Sequence, residues 1–329
     1  MPAPEAPLLL GLDVGGTGSR GVVTDPAGRR LGSARDAGGN PQSRGGEVAA
    51  ARIGGVLRAA LGGLDPAGAA VCVIGLAGYR RFATEAARAE FVRHCRAAAG
   101  PAAPDTLRIL LRPDAEVAFA AGTGAPDGVV LVAGTGSVAC RIDRRRVTAT
   151  RGGLGWLLGD EGSGAWLGRE AARHTARALE EDTPDGLCAE VLAELGLPAG
   201  RPAEALSGLL RAVYDAPSTA PARLAPLVGR AAAAGDPAAS RIVARAAAHL
   251  AALVRAALPA GGPSGPVVLA GAVAASPGPV RDALTADLLS GPSALGAAAA
   301  TGDTAMAAAW LAALELDPTA PREAFLPEP

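Results

Sequence analysis

Residues 9–20 read Leu-Leu-Gly-Leu-Asp-Val-Gly-Gly-Thr-Gly-Ser-Arg. The apolar run Leu8, Leu9, Leu10 and Leu12 predicts a buried strand with an aspartate, Asp13, at its end. Gly15, Gly16, Thr17, Gly18 and Ser19 then form a tight, hydroxyl-bearing turn. Glycines let a backbone come close to a phosphate, and the N–H groups of such a turn can point at its oxygens. A carboxylate cannot bind phosphate directly, but it can hold Mg²⁺, and the metal then bridges to phosphate. Asp13 is therefore the candidate metal ligand, and Gly15, Gly16, Thr17 and Ser19 are candidate nucleotide contacts. A plain strand and turn would show the same letters, so this segment alone leaves both readings open.

The pattern recurs. Residues 129–133, Val-Val-Leu-Val-Ala, enter a loop of Gly134, Thr135, Gly136 and Ser137. A third apolar run, Val267 to Ala270, enters Gly271-Ala272-Val273 and then a helical pattern from Pro279 through Leu289. Three strand-into-glycine units in this order are far more specific than one. Further strands are expected over 70–76 and 107–111, and helices over 48–61, 85–99, 116–121, 163–174 and 303–314.

With these residues in place, the chain resembles the sugar-kinase and actin superfamily. Within it, the chain resembles the BadF/BadG/BcrA/BcrD-type ATPase family, which includes N-acetylglucosamine kinases and glucosamine kinases. The resemblance implies an α/β chain with a two-domain actin-like ATPase (ribonuclease H-like) fold and a central inter-domain cleft. The first domain is expected over 1–119, joined by a C-terminal helix over 303–329, and the second over 120–302. ATP and Mg²⁺ are the implied cofactors. The phosphate loops would be Asp13–Ser19 and Gly134–Ser137, with an adenosine loop beginning at Gly271 and Ala272. The family usually carries a second glycine where this chain has Ala272.

Asp114 follows a strand and precedes a helix, which places it at the carboxyl edge of a sheet, where α/β proteins gather ligands. A helix-start aspartate that favours the dipole would sit there too. The family aspartate at this place is the general base that takes the proton of the sugar hydroxyl. The stretch from Gly152 to Gly164 reads Gly-Gly-Leu-Gly-Trp-Leu-Leu-Gly-Asp-Glu-Gly-Ser-Gly. It resembles the family's sugar loop, which makes Trp156, Asp160 and Glu161 the candidate substrate contacts; an acidic helix start is the bland alternative. Asn40, in Gly-Gly-Asn-Pro, matches a family asparagine, and Gly78 sits in a similar strand-end loop.

Composition sets limits. At 329 residues the chain suits two domains, and 49% hydrophobic residues can furnish a sizeable core. The net charge of −1 offers no general attraction for nucleic acid or anionic membrane. Every one of the 31 basic Lys+Arg residues is arginine, so a lysine-dependent Walker loop is excluded. Cys72, Cys95, Cys140 and Cys188 show no CxxC spacing, and the four read as reduced thiols of a cytoplasmic protein. The three histidines fall in helical patterns without metal-ligand spacing, and Arg144–Arg146 reads as a solvated hairpin turn. The expected function is ATP-dependent phosphorylation of the 6-hydroxyl of D-glucosamine, with N-acetylglucosamine the alternative substrate. A dehydratase-activator ATPase and a non-catalytic sugar sensor are further alternatives. The expected partner is a small-molecule amino sugar, without nucleic acid or membrane; a homodimer is compatible with the sequence.

Overall fold

The computed structural model describes residues 6–217, 219–259, 265–290, 299–300 and 302–326. In chain order the first elements are β1 (Leu8–Val14), β2 (Gly18–Thr24), β3 (Arg30–Ala37), α1 (Pro41–Arg44), α2 (Gly46–Leu61), β4 (Ala69–Leu76), α3 (Glu85–Ala99), β5 (Arg108–Pro113) and α4 (Asp114–Gly122). Next come β6 (Gly128–Ala133), β7 (Ser137–Asp143), β8 (Arg146–Gly152), α5 (Gly164–Glu180), α6 (Gly186–Glu194), α7 (Pro202–Tyr214), α8 (Ala225–Ala233) and α9 (Pro237–Ala257). The chain closes with β9 (Val267–Ala270), α10 (Gly271–Ala274), α11 (Pro279–Leu289), β10 (Ala299–Ala300), α12 (Thr304–Leu314) and α13 (Arg322–Phe325).

Contacts divide the chain into two units. Unit 1 takes Met1–Pro126, Arg145–Val147 and Thr301–Pro329; unit 2 takes Asp127–Arg144 and Thr148–Ala300. A boundary at 119/120 would cut α4, which is continuous to Gly122 and packs against α12, so the first unit extends to Pro126.

Unit 1 holds a five-stranded sheet in the order β3-β2-β1-β4-β5. Strand alternation sorts β1 between two cores. Leu10, Leu12 and Val14 bury against α2 and α3, with Ile53, Leu57 and Phe91. Leu9 faces the opposite way, among Val117, Trp310 and Leu311 of α4 and α12. Gly11 and Asp13 share that second face. A Cβ on Gly11 would lie 2.2 Å from the Ala305 carbonyl oxygen and 2.3 Å from the Ala309 nitrogen, so glycine is what lets α12 press onto β1. The alanines of α12 at 305, 308 and 309 permit the same approach.

Beyond α12 the chain does not trail off. Phe325 and Leu326 are buried, and Arg322 donates to the carbonyls of Ala120 (3.1 Å) and Ala121 (2.7 Å). The arginine turn between β7 and β8 is a hairpin turn with Arg144 and Arg146 exposed, as its charges predict, but two of its side chains also dock. Arg145 stacks 4.9 Å from the Trp310 ring centroid, and Arg146 pairs with buried Glu116 at 3.5 Å.

Unit 2 repeats the plan, with the order β8-β7-β6-β9-β10. In each sheet the first strand of the unit pairs antiparallel with the next strand and parallel with a later one. Its β6 packs Val129, Leu131 and Ala133 against Trp166, Leu250 and Val254 of α5 and α9. Among the described residues, no helix is long and apolar enough to cross a membrane.

Candidate active site

The same four letters, Gly-Thr-Gly-Ser, link β1 to β2 at residues 16–19 and β6 to β7 at 134–137. The two turns are built alike. Gly15 N–H donates to the Gly18 carbonyl at 2.9 Å, and Gly134 N–H to the Gly136 carbonyl at 3.0 Å. Among the described residues, the amides of Gly16 and Thr17 in one turn, and of Thr135 and Gly136 in the other, take no backbone partner. Such amides suit phosphate oxygens. The serines do not join them. Ser19 is buried and donates to the Ala37 carbonyl at 3.0 Å. Ser137 is buried and donates to the Glu161 carbonyl at 2.9 Å. Strand alternation turns both hydroxyls inward, so they fasten neighbouring segments, and the expected nucleotide contacts at Ser19 and Ser137 are withdrawn.

In unit 1, Asp13 ends β1 on the face covered by α12. The Thr304 hydroxyl, at the first position of that helix, donates to Asp13 Oδ2 at 2.5 Å. Burial pushes the Asp13 carboxyl above its ordinary value, against the lowering effects of Thr304 and Arg20, and Asp303 adds to the rise. Asp114 opens α4 directly after β5, with Ala115 N–H donating to its Oδ1 at 3.0 Å. A helix N-terminus favours a charged carboxylate. Here burial and the neighbouring Asp13 charge outweigh it, and the Asp114 carboxyl is raised from 3.8 to about 6. The two carboxyls, Asp13 raising the proton affinity of Asp114, and the exposed Thr17 hydroxyl form an all-oxygen donor set. That is the chemistry of Mg²⁺, and a divalent cation would relieve the clustered negative charge. The residues present therefore fit the metal.

Asn40 caps α1, with its Oδ1 accepting from Gln42 N–H at 2.8 Å. Gly78 lies against it: a Cβ there would sit 2.3 Å from Asn40 Oδ1, and its φ of +79° also favours glycine. Gly39 N–H donates to the Gly15 carbonyl at 3.1 Å, so the asparagine loop is tied to the first phosphate turn.

In unit 2 three segments converge. Gly271 has φ +83°, and a Cβ would lie 2.5 Å from the Ala133 carbonyl oxygen, so the β9–α10 turn abuts the second phosphate turn; Ala272 beside it is exposed. Gly164 and Ala165, the first residues of α5, donate to the carbonyls of Gly134 (2.8 Å) and Thr135 (3.1 Å). Asp160, at φ +59°, accepts from Ser137 N–H at 3.2 Å, and burial raises its carboxyl. Glu161 is exposed, and Trp156 retains 42% of its surface in a turn whose carbonyl is held by Arg169 at 2.7 Å.

Thr304 and Asp303 escaped the sequence reading. Asp303 is legible as a helix cap, and its Oδ1 does accept from Ala305 and Met306. That this helix begins at the end of β1 is a tertiary fact. All four cysteines are free and buried; burial pushes the Cys72 thiol up, and the Cys95 thiol up to about 12, so the thiolate needed to ligate iron is disfavoured at both.

The sequence model of the BadF/BadG/BcrA/BcrD ATPase family matches residues 10–290. An N-acetyl-D-glucosamine kinase of Dictyostelium discoideum is 36% identical over 91 residues, 27% of this chain and 28% of that protein. An N-acetylmuramic acid/N-acetylglucosamine kinase of Clostridium acetobutylicum is 32% identical over 74 residues, 22% of this chain and 24% of that protein. The chain thus matches only about a quarter of the length of each curated relative. A solved structure of a protein named as a candidate N-acetylglucosamine kinase from Chromobacterium violaceum aligns with a TM-score of 0.74 and 27% identity, over 94% of this chain and 100% of that one.

Proposed function

We propose that this chain, which belongs to the BadF/BadG/BcrA/BcrD ATPase family, is an ATP-dependent amino-sugar kinase that passes the γ-phosphate of ATP to the 6-hydroxyl of D-glucosamine. The observation that carries the reading is Asp114: a carboxyl at the start of a helix, raised to about 6, beside the metal-type ligand Asp13. A base with that value is mostly charged at neutral pH yet binds a proton far better than an ordinary aspartate, which suits proton removal from a hydroxyl. The names of the relatives support sugar phosphorylation.

Asp114 takes the proton of the attacking hydroxyl on its carboxylate. Asp13, with Thr304 fixing one of its oxygens, would hold Mg²⁺, which when bound would neutralise triphosphate charge. The free amides of Gly16, Thr17, Thr135 and Gly136 bind phosphate oxygens, and the Gly271–Ala272 turn carries the nucleoside side of ATP. Asn40, Gly78, Trp156, Asp160 and Glu161 position the sugar. Phosphoryl transfer asks for alignment and charge neutralisation more than covalent chemistry by the protein.

The relatives' names favour a second substrate, N-acetylglucosamine. The two sugars differ at C2: an ammonium wants a carboxylate nearby, for which exposed Glu161 is the candidate, whereas an acetamide wants room and donors. A coupled ADP-release assay with ATP and Mg²⁺ compares glucosamine, N-acetylglucosamine and glucose, with Asp114→Asn as control. Turnover of glucosamine alone, lost in the variant, upholds the reading. Preference for N-acetylglucosamine keeps the mechanism and replaces the substrate. Folded protein without sugar-stimulated ADP release refutes the kinase.

A further inference from the structure

Five arginines in unit 2 repeat at four-residue intervals on two packed helices. On α5 they are Arg169, Arg173 and Arg177; on α9 they are Arg241 and Arg245. Four-residue spacing puts residues on one helix face, and like charges so placed destabilise a helix. Folding alone gives no reason to accumulate them. Arg169 is spoken for by the Trp156 carbonyl. The other four line one cavity of about 230 Å³ between α5 and α9, together with Glu170, His174, Ala238 and Ile242.

The cavity is organised from beneath. Glu170 is buried and accepts from Arg173 through one oxygen and from Arg245, at 2.9 Å, through the other. Arg245 also lies 5.1 Å from the Trp166 ring centroid. His174 is held by Asp185 at 2.6 Å. Arg177 and Arg241 are exposed and form no ion pair among the described residues. Four guanidiniums thus meet a single buried carboxylate, two of them preset by it and two open at the rim. Guanidinium forks match the oxygens of phosphate in pairs, and Ala238 and Ile242 add an apolar side for a small organic body.

We propose that this groove binds a phosphate-bearing small molecule, as inorganic phosphate or a phosphate monoester. The site is separate from the second phosphate turn. Arg173 and Arg177 lie nine and thirteen residues beyond Gly164, roughly 14–20 Å along α5 at the rise of an α-helix. It does not depend on the kinase reading. The groove spans little more than one helical turn on each helix and, among the described residues, is lined by no Phe, Tyr or Trp, which disfavours a nucleic-acid strand.

The test is a titration of the full chain with inorganic phosphate and with glucose 6-phosphate, followed by ³¹P linewidth at constant ionic strength. Wild type is compared with R177Q/R241Q, R241Q alone and R177K/R241K, each checked for an unchanged melting profile. Saturable binding is expected, weakened about tenfold for each arginine removed and only partly restored in the lysine variant, which keeps the charge but not the fork. Tighter binding of the ester identifies a monoester ligand, and equal binding identifies phosphate itself. Absence of saturable binding overturns the proposal. So does equal affinity in R177Q/R241Q, which would place the phosphate on the glycine turns, or preference for a duplex oligonucleotide.

Discussion

Replacing Asp114 with asparagine should abolish turnover and stabilise the protein. The Asp114 carboxyl is raised from 3.8 to about 6, chiefly by burial and next by Asp13. A raised carboxylate value means that the folded state binds the proton more tightly than the unfolded chain. Stability is then lost as pH rises from about 4 through 6 and stays lost above it. Two pKa units correspond to about 3 kcal/mol. Solvent reaches the half-buried carboxylate, so a gain of about 1–2 kcal/mol is expected for Asp114→Asn at pH 7.5. The asparagine oxygen can still accept from Ala115 N–H, so that bond is kept in the variant. Urea unfolding, read from the fluorescence of Trp310 in unit 1, measures it at pH 7.5 and pH 4.5. The advantage of the variant should fall below about 1 kcal/mol at the lower pH. In parallel, wild-type kcat/KM should drop roughly tenfold from pH 7 to pH 5 as the base is protonated. A variant no more stable than wild type at pH 7.5, or an advantage that persists at pH 4.5, refutes the burial argument. A flat pH profile refutes the base.

Thr304→Val removes a hydroxyl bond to a charged carboxylate, an interaction worth about 1.5–3 kcal/mol. The Mg²⁺ concentration for half-maximal ADP release should rise roughly tenfold while α12, capped by Asp303, stays folded; an unchanged Mg²⁺ titration counts against Thr304 as a positioning residue. Gly11→Ala drives a methyl into the backbone of α12 and should cost about 1–3 kcal/mol in urea unfolding, with activity lost alongside as Thr304 is displaced. Asp160→Asn tolerates the positive φ and should raise the sugar KM while leaving the ATP KM near wild type; Asp160→Ala adds backbone strain and should also unfold earlier in urea.

The strands and helices were legible because their periods are strong. The apolar runs before each glycine turn became β1, β6 and β9, and Glu85–Ala99 formed a helix with the bounds expected of it. Asp13 and Asp114 were legible as strand-end carboxylates. What brings them together was not, because it depends on β1 and β5 flanking β4 in one sheet and on a helix that returns 291 residues after Asp13. The arginine turn is the exposed hairpin turn that its charges predict at Arg144 and Arg146, but the docking of Arg145 on Trp310 and of Arg146 on Glu116 was not legible, because those partners are far away in sequence.

The serines show that a motif can hide a period. Ser19 stands two residues before Gly21 and four before Val23, so strand alternation already places its hydroxyl on the inward face. Ser137 stands in the same relation to Ala139. Thr17 and Thr135 precede their strands and escape that alternation, which leaves the threonine, not the serine, as the hydroxyl free for a ligand in each turn. The duplication stops at the carboxylate. Three residues before Gly16 stands Asp13; three residues before Gly134 stands Leu131, fully buried in the core of unit 2. Two turns of like construction offer the same free amides, but only the first has a strand-end acid, so under the proposed function a metal held by such an acid would sit in unit 1.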